Sequence, residues 1–110
     1  MNNPHKILQD ALEEVKTRED RRMAAILQRN QEDMRTWLAN FPKFKDWPVV
    51  ANVDGVFIIL PNCVPIEVLA PSSPYADRFV CKGMSDSNIN DVIAHAHDLW
   101  ARDQARRMYP

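Results

Sequence analysis

Two histidines stand two positions apart, His95 and His97, and two cysteines, Cys63 and Cys81, lie upstream of them. These residue types hold zinc or pair a nucleophile with its base. Their spacing argues against both uses. An HxH pair shares a face on a strand. The residues around this one, Ile89, Val92, Ile93, Ala96, Leu99 and Trp100, recur instead with a helical period. Two positions along a helix point about 200° apart, so the pair cannot chelate one metal. His95 then falls on a polar face beside Asp91 and Asp98 as an ion-pairing surface group. His97 shares a stripe with Asn90, Ala94 and Ala101, small enough for another backbone to approach closely.

The cysteines form no CxxC pair, and neither is followed by a Gly turn or a helix N-terminus that would activate it. Cys63 lies in the apolar turn Leu60-Pro61-Asn62-Cys63-Val64-Pro65, where a buried thiol is expected. Spacing leaves open whether Cys63 and Cys81 pair. The carboxylate neighbours Glu13/Glu14 and Glu32/Asp33 fall in a helical pattern, where adjacent residues do not face each other. With 2 glycines in 110 residues there is no GxGxxG and no phosphate loop. The reading assigns no catalytic residue, no metal and no cofactor.

Two other groups suit recognition. Trp37, Phe41, Phe44 and Trp47 crowd a short stretch, interrupted by Lys43, Lys45 and Asp46. Such a cluster caps the end of a core or forms an interface hot spot. Tyr75 and Arg78 lie in a loop, 71–78, stiffened by Pro71 and Pro74, which makes a second candidate contact. Arg18, Arg22 and Arg29 share one helical stripe and are the candidates for phosphate contact. Glu19, Asp20, Glu32 and Asp33 dilute them, and no aromatic residues interleave for base stacking.

The elements that must carry these residues are legible in outline. Residues 4 to about 40 read as helix, capped by Asn2 or Asn3 with Pro4 in the first turn. Leu12, Met23 and Met34 are eleven apart, as are Val15, Ile26 and Trp37. Eleven residues make three turns, so these side chains line one stripe of a nearly straight helix. Strict heptads fail, because the register through Leu8 and Val15 meets Arg22 and Arg29. Such a helix is about 55 Å long, far beyond a compact domain's radius of gyration of about 13 Å. One end must protrude, or a second copy must cover it, or the helix must break at Lys16–Arg22 into a hairpin near 4–16 and 19–40.

Residues 41–48 form a connector between helix stops at Pro42 and Pro48. A β-meander over about 49–81 follows. Asp54-Gly55 between two β-rich runs predicts a hairpin turn. It places Val49, Ala51, Val53, Val56, Ile58 and Leu60 on one face, and Val50, Asn52, Phe57 and Ile59 on a second face that is apolar enough to call for a cover. Ile66–Leu69 reads as a third strand, set at an edge by Pro65, and Phe79–Cys81 as a short fourth. Ser85 or Asp86 caps a helix over about 86–107, with acids at its start and Arg102, Arg106 and Arg107 at its end to suit the helix dipole. The fold class is α+β: a long N-terminal helix, an antiparallel meander of three to four strands and a long C-terminal helix in one domain, with the helices on one side of the sheet.

Composition narrows the function. There are 14 Lys+Arg against 15 Asp+Glu, a net charge of −1, which is unlike a nucleic-acid coat or a polybasic membrane binder. No apolar run is long enough to span a bilayer or to serve as a signal peptide, and unpaired thiols suit the cytoplasm. The expectation is a small non-enzymatic module that binds another protein as an inhibitor or adaptor. A phage-encoded antagonist of a host enzyme or defence complex has this size and plainness. Homodimerisation through the first helix is a further expectation. The alternatives are a nucleic-acid-associated protein using the arginine stripes, and a small cysteine-dependent enzyme or ligand-binding domain.

Overall fold

The computed structural model describes residues 3–109 of the chain. The order is α1 (Pro4–Asn40), a single 3-10 turn (Pro42–Phe44), β1 (Val49–Asn52), β2 (Gly55–Ile58), β3 (Ile66–Val68), β4 (Phe79–Cys81), β5 (Met84–Asp86) and α2 (Ile89–Met108). The chain is α+β, with a five-stranded antiparallel sheet in simple sequential order where the spacing predicts three or four strands.

α1 is one continuous helix of 37 residues and not a hairpin. Asn3 caps it, its Oδ1 accepting from the His5 backbone N–H at 3.0 Å, with Pro4 in the first turn; the alternative cap, Asn2, lies outside the described residues. The polar run Lys16–Arg22 stays helical, supported by the Arg18–Glu14 ion pair one turn apart. The helix stops at Phe41, whose N–H bonds back to the Trp37 carbonyl, and Pro42 prevents its continuation.

β1 and β2 pair with Val49 opposite Ile58 and Ala51 opposite Val56, so the expected inner face holds for Val49, Ala51, Val56 and Ile58, but Val53 falls in the turn and is exposed. The turn sits one residue earlier than expected. Val53 and Asp54 are its central residues, and Asn52 Oδ1 accepts from the Asp54 N–H at 2.8 Å. Gly55 follows as the first residue of β2 at φ +142°, which a β-carbon would strain. β3 lies in the middle of the sheet and not at its edge. Pro65 precedes the strand, so its missing N–H costs no ladder bond. β5 is the unexpected strand: Lys82-Gly83 makes a tight turn, with Gly83 at φ +79°, and Cys81 pairs with Met84. That takes Ser85 and Asp86 into the sheet. The cap of α2 passes to Asn88, whose Oδ1 accepts from the Asn90 N–H at 3.0 Å.

One face of the sheet, carrying Val56, Ile58, Ile66, Val68, Phe79 and Cys81, is buried beneath both helices. α1 covers β1 and β2; α2 covers β3, β4 and β5 through Ile89, Val92 and Ala96. The two halves meet at an aromatic cluster. Phe44 is fully buried, with its ring 5.0 Å from Trp37, 4.7 Å from Trp47 and 5.5 Å from Phe79. Replacing Phe44 with Ala should lower unfolding free energy by about 3–5 kcal/mol, while Tyr75→Ala, on the surface, should change it by roughly 0.5 kcal/mol or less. Urea denaturation of both variants checks this; equal losses would mean that the cluster is not the keystone.

Candidate interaction surface

Both histidines of the HxH are hydrogen-bonded to backbone carbonyls. His95 Nε2 lies 2.7 Å from the Lys82 carbonyl oxygen and donates to it. His97 Nδ1 donates to the Asn62 carbonyl at 2.8 Å and stacks on Trp100, ring centroids 5.9 Å apart. Between them, the Ala96 carbonyl accepts from the Val64 N–H at 3.2 Å. The HxH thus grips two different loops from two sides of α2, as helical spacing requires. It ties down the β4–β5 turn and the 61–64 segment, where Asn62 adopts the left-handed φ of +58°. His95 takes this backbone bond in place of the expected ion pair with Asp91 or Asp98.

Both cysteines are free thiols. Burial pushes the Cys63 thiol up, and it pushes the Cys81 thiol up too, helped by the neighbouring Cys63 and opposed by Lys82. Both therefore stay protonated at neutral pH, which is the reverse of nucleophilic activation. Among the described residues, no group of three or more His, Cys, Asp or Glu side chains is placed to hold a metal ion. None of their helices is long and apolar enough to cross a membrane.

The expected contact residues divide in two. Trp37 and Phe44 are 2% and 0% exposed and form the core, so neither can touch a partner. Phe41 and Trp47 are half-buried and pack against them. The connector is thus a cap on the core; type and spacing alone do not separate a cap from a hot spot. Tyr75 and Arg78 are on the surface, Tyr75 at 59% exposure. Arg78 Nη1 donates to the Ser85 carbonyl at 3.2 Å, which fastens the loop to β5.

Ion pairing engages only Arg18 of the arginine stripe among the described residues, and Arg22 stands beside Glu19 without a pair. Arg18 pairs with Glu14. Arg29 borders a cleft of about 180 Å³ whose rim also holds Asp33, Asp54 and Glu67. Arg102 and Arg107 pair with Asp98 and Asp103 at 2.9 and 3.2 Å. Arg18, Arg102 and Arg107 are thus engaged by carboxylates, and Arg22 and Arg29 have acidic side chains nearby.

The first half of α1, which the helix length predicts must protrude or be covered by a second copy, stands clear of the body. Every residue from Pro4 to Ala25 is exposed, an arm about 33 Å long at 1.5 Å per residue. Ile7, Leu8, Leu12, Val15 and Met23 lie on it at 50–61% exposure. Leu8, Leu12, Val15 and Met23 continue the stripe that, from Ile26 onward, turns Met34 and Trp37 into the core. The eleven-residue recurrence is the signal, since it does not stop where the body of the protein stops. No family profile matches this chain, and neither does any curated protein or solved structure.

The thiols give a direct check on cysteine chemistry. Iodoacetamide at pH 7 should label Cys63 and Cys81 slowly in the folded protein and quickly after denaturation, with rates rising only at clearly alkaline pH. Rapid stoichiometric labelling of either native thiol at neutral pH would reinstate a nucleophile.

Proposed function

We propose that the protein is a non-enzymatic interaction module, an inhibitor or adaptor that works by binding protein, with the arm of α1 as its association surface. The observation that carries this reading is the arm's apolar stripe, which is continuous with the core-facing stripe and uncovered by the body. A solvent-exposed row of large apolar side chains on a regular helix is the form in which helices present themselves to a partner groove or helix. Protonated thiols and backbone-bound histidines support a non-catalytic role, and the acid-neighboured arginines favour protein over nucleic acid as the partner. Two unpaired thiols suit a reducing compartment such as the cytoplasm.

The arm variant Leu12→Glu/Val15→Glu tests the reading, because both positions are remote from the core. Near-ultraviolet circular dichroism, which reports the packed Trp37, Phe44 and Trp47 cluster of the body, should be unchanged. Wild type, tagged and recovered from nuclease-treated native lysate, should carry a stoichiometric protein, whether another chain or an untagged copy of itself, and the variant should lose it. Identical recoveries from both, or binding that disappears with nuclease, would contradict the reading.

A further inference from the structure

We infer that the occupant of the arm is the arm of a second copy of this chain, running antiparallel; the inference rests on the reading of the arm as an association surface. Surface area is the first argument. A compact monomer of 12.7 kDa exposes about 6,200 Å². This chain exposes 8321 Å², an excess of about 2,000 Å². A standard protein interface takes about 800 Å² from each partner, so the arm has surface enough for one. The radius of gyration, 19.6 Å against about 13 Å for a compact chain of this length, has the same origin.

Charge decides the partner and its direction. Glu19 lies in the middle of the stripe, one turn beyond Val15, with Arg22 beside it. A parallel copy would set Glu19 against Glu19 and Arg22 against Arg22. An antiparallel copy removes both conflicts. Glu19, Arg22 and Met23 line a shallow depression of about 160 Å³, the kind of hole between successive turns that a knob from a facing helix fills. Leu12 of the second copy, seated there, brings its Lys16 opposite Glu19 with Asp20 alongside. Two-fold symmetry repeats the pair at the other side of the crossing. Leu8 then falls near the level of Ile26 and Leu27, where both are half-buried, so the seam runs from the free end of the arm to the body. Each arm covers the other over about 30 Å, and the two sheets, each with its Tyr75 and Arg78 loop, stand at opposite ends.

Sedimentation equilibrium of the purified full chain tests this. The expected mass is about 25 kDa, twice the 12.7 kDa of the chain. Lys16→Glu alone and Glu19→Lys alone should each weaken the dimer by about tenfold, since each replaces two attractive contacts with two repulsive ones. The double variant Lys16→Glu/Glu19→Lys should recover most of the affinity lost in either single variant, short of wild type because the carboxylate at position 16 also meets Asp20, and near-ultraviolet circular dichroism should show the body of all three folded. A dimer whose charge-swapped double variant stays weak would overturn the antiparallel pairing. A monomer at all concentrations would overturn self-association. If that monomer still recovers a different protein through its arm, the proposed function stands and only the identity of the occupant falls.

Discussion

The packing of Phe44 against Trp37, Trp47 and Phe79 is the contact on which the rest of the structure depends. Trp37 belongs to the last turn of α1, Phe44 to the 3-10 turn after Pro42, and Phe79 to β4. One buried ring therefore fixes where the helix ends, how the chain turns into the sheet, and which end of α1 is anchored. The neighbouring rings meet Phe44 at 30° for Trp37, 79° for Trp47 and 61° for Phe79, so edge contacts predominate, as ring quadrupoles favour. Lys43 adds its ammonium 4.9 Å from the Phe44 centroid, capping the cluster on the solvent side.

Anchoring α1 at its C-terminal end has a consequence at the other end. The sheet is only three to four residues long in each strand, so it supports only the later turns of the helix. Asn30 Nδ2, donating to the Asn52 carbonyl at 2.8 Å, marks the hairpin tip and the edge of that support. Half-buried Ile26 and Leu27 extend it by one turn, and before them the helix holds by propensity and local contacts such as the Arg18–Glu14 pair and the Asn3 cap. Most helical stability in proteins comes from packing an apolar face rather than from propensity, and the arm packs against nothing in its own chain. The arm is the part of the molecule with the most to gain from a partner. The same stripe that is core at Trp37 is interface at Leu12.

Much of this was legible from residue pattern. The extent of α1, its cap at Asn3, the inner face of the first hairpin and the strand at Phe79–Cys81 follow from local chemistry that tertiary contacts do not override. The misses have physical causes. Asp54-Gly55 is a strong turn signal, but Asn52 can bond to the Asp54 N–H and moves the turn back one residue. Asp86 and Asn88 are both good caps; Asp86 Oδ1 instead accepts from the Asn88 N–H and hands the cap on. β5 is three residues long and too short for a periodic signal, although Gly83 at positive φ marks its turn. The aromatic connector was ambiguous in principle, because buried anchors and docking anchors share one composition. The exposed arm was written in the eleven-residue recurrence, yet only the limited reach of the sheet shows which turns it leaves bare.

If the first half of α1 is a helix completed by association, its stability depends on protein concentration. Hydrogen exchange of backbone amides, followed over a dilution series, addresses it most directly. Amides between Leu8 and Met23 should be well protected at high protein concentration and lose protection on dilution, while those around Trp37, Ile58 and Val92 should not change. Protection of the arm that is independent of concentration, or exchange at the rate of unstructured chain even in concentrated protein, would contradict it.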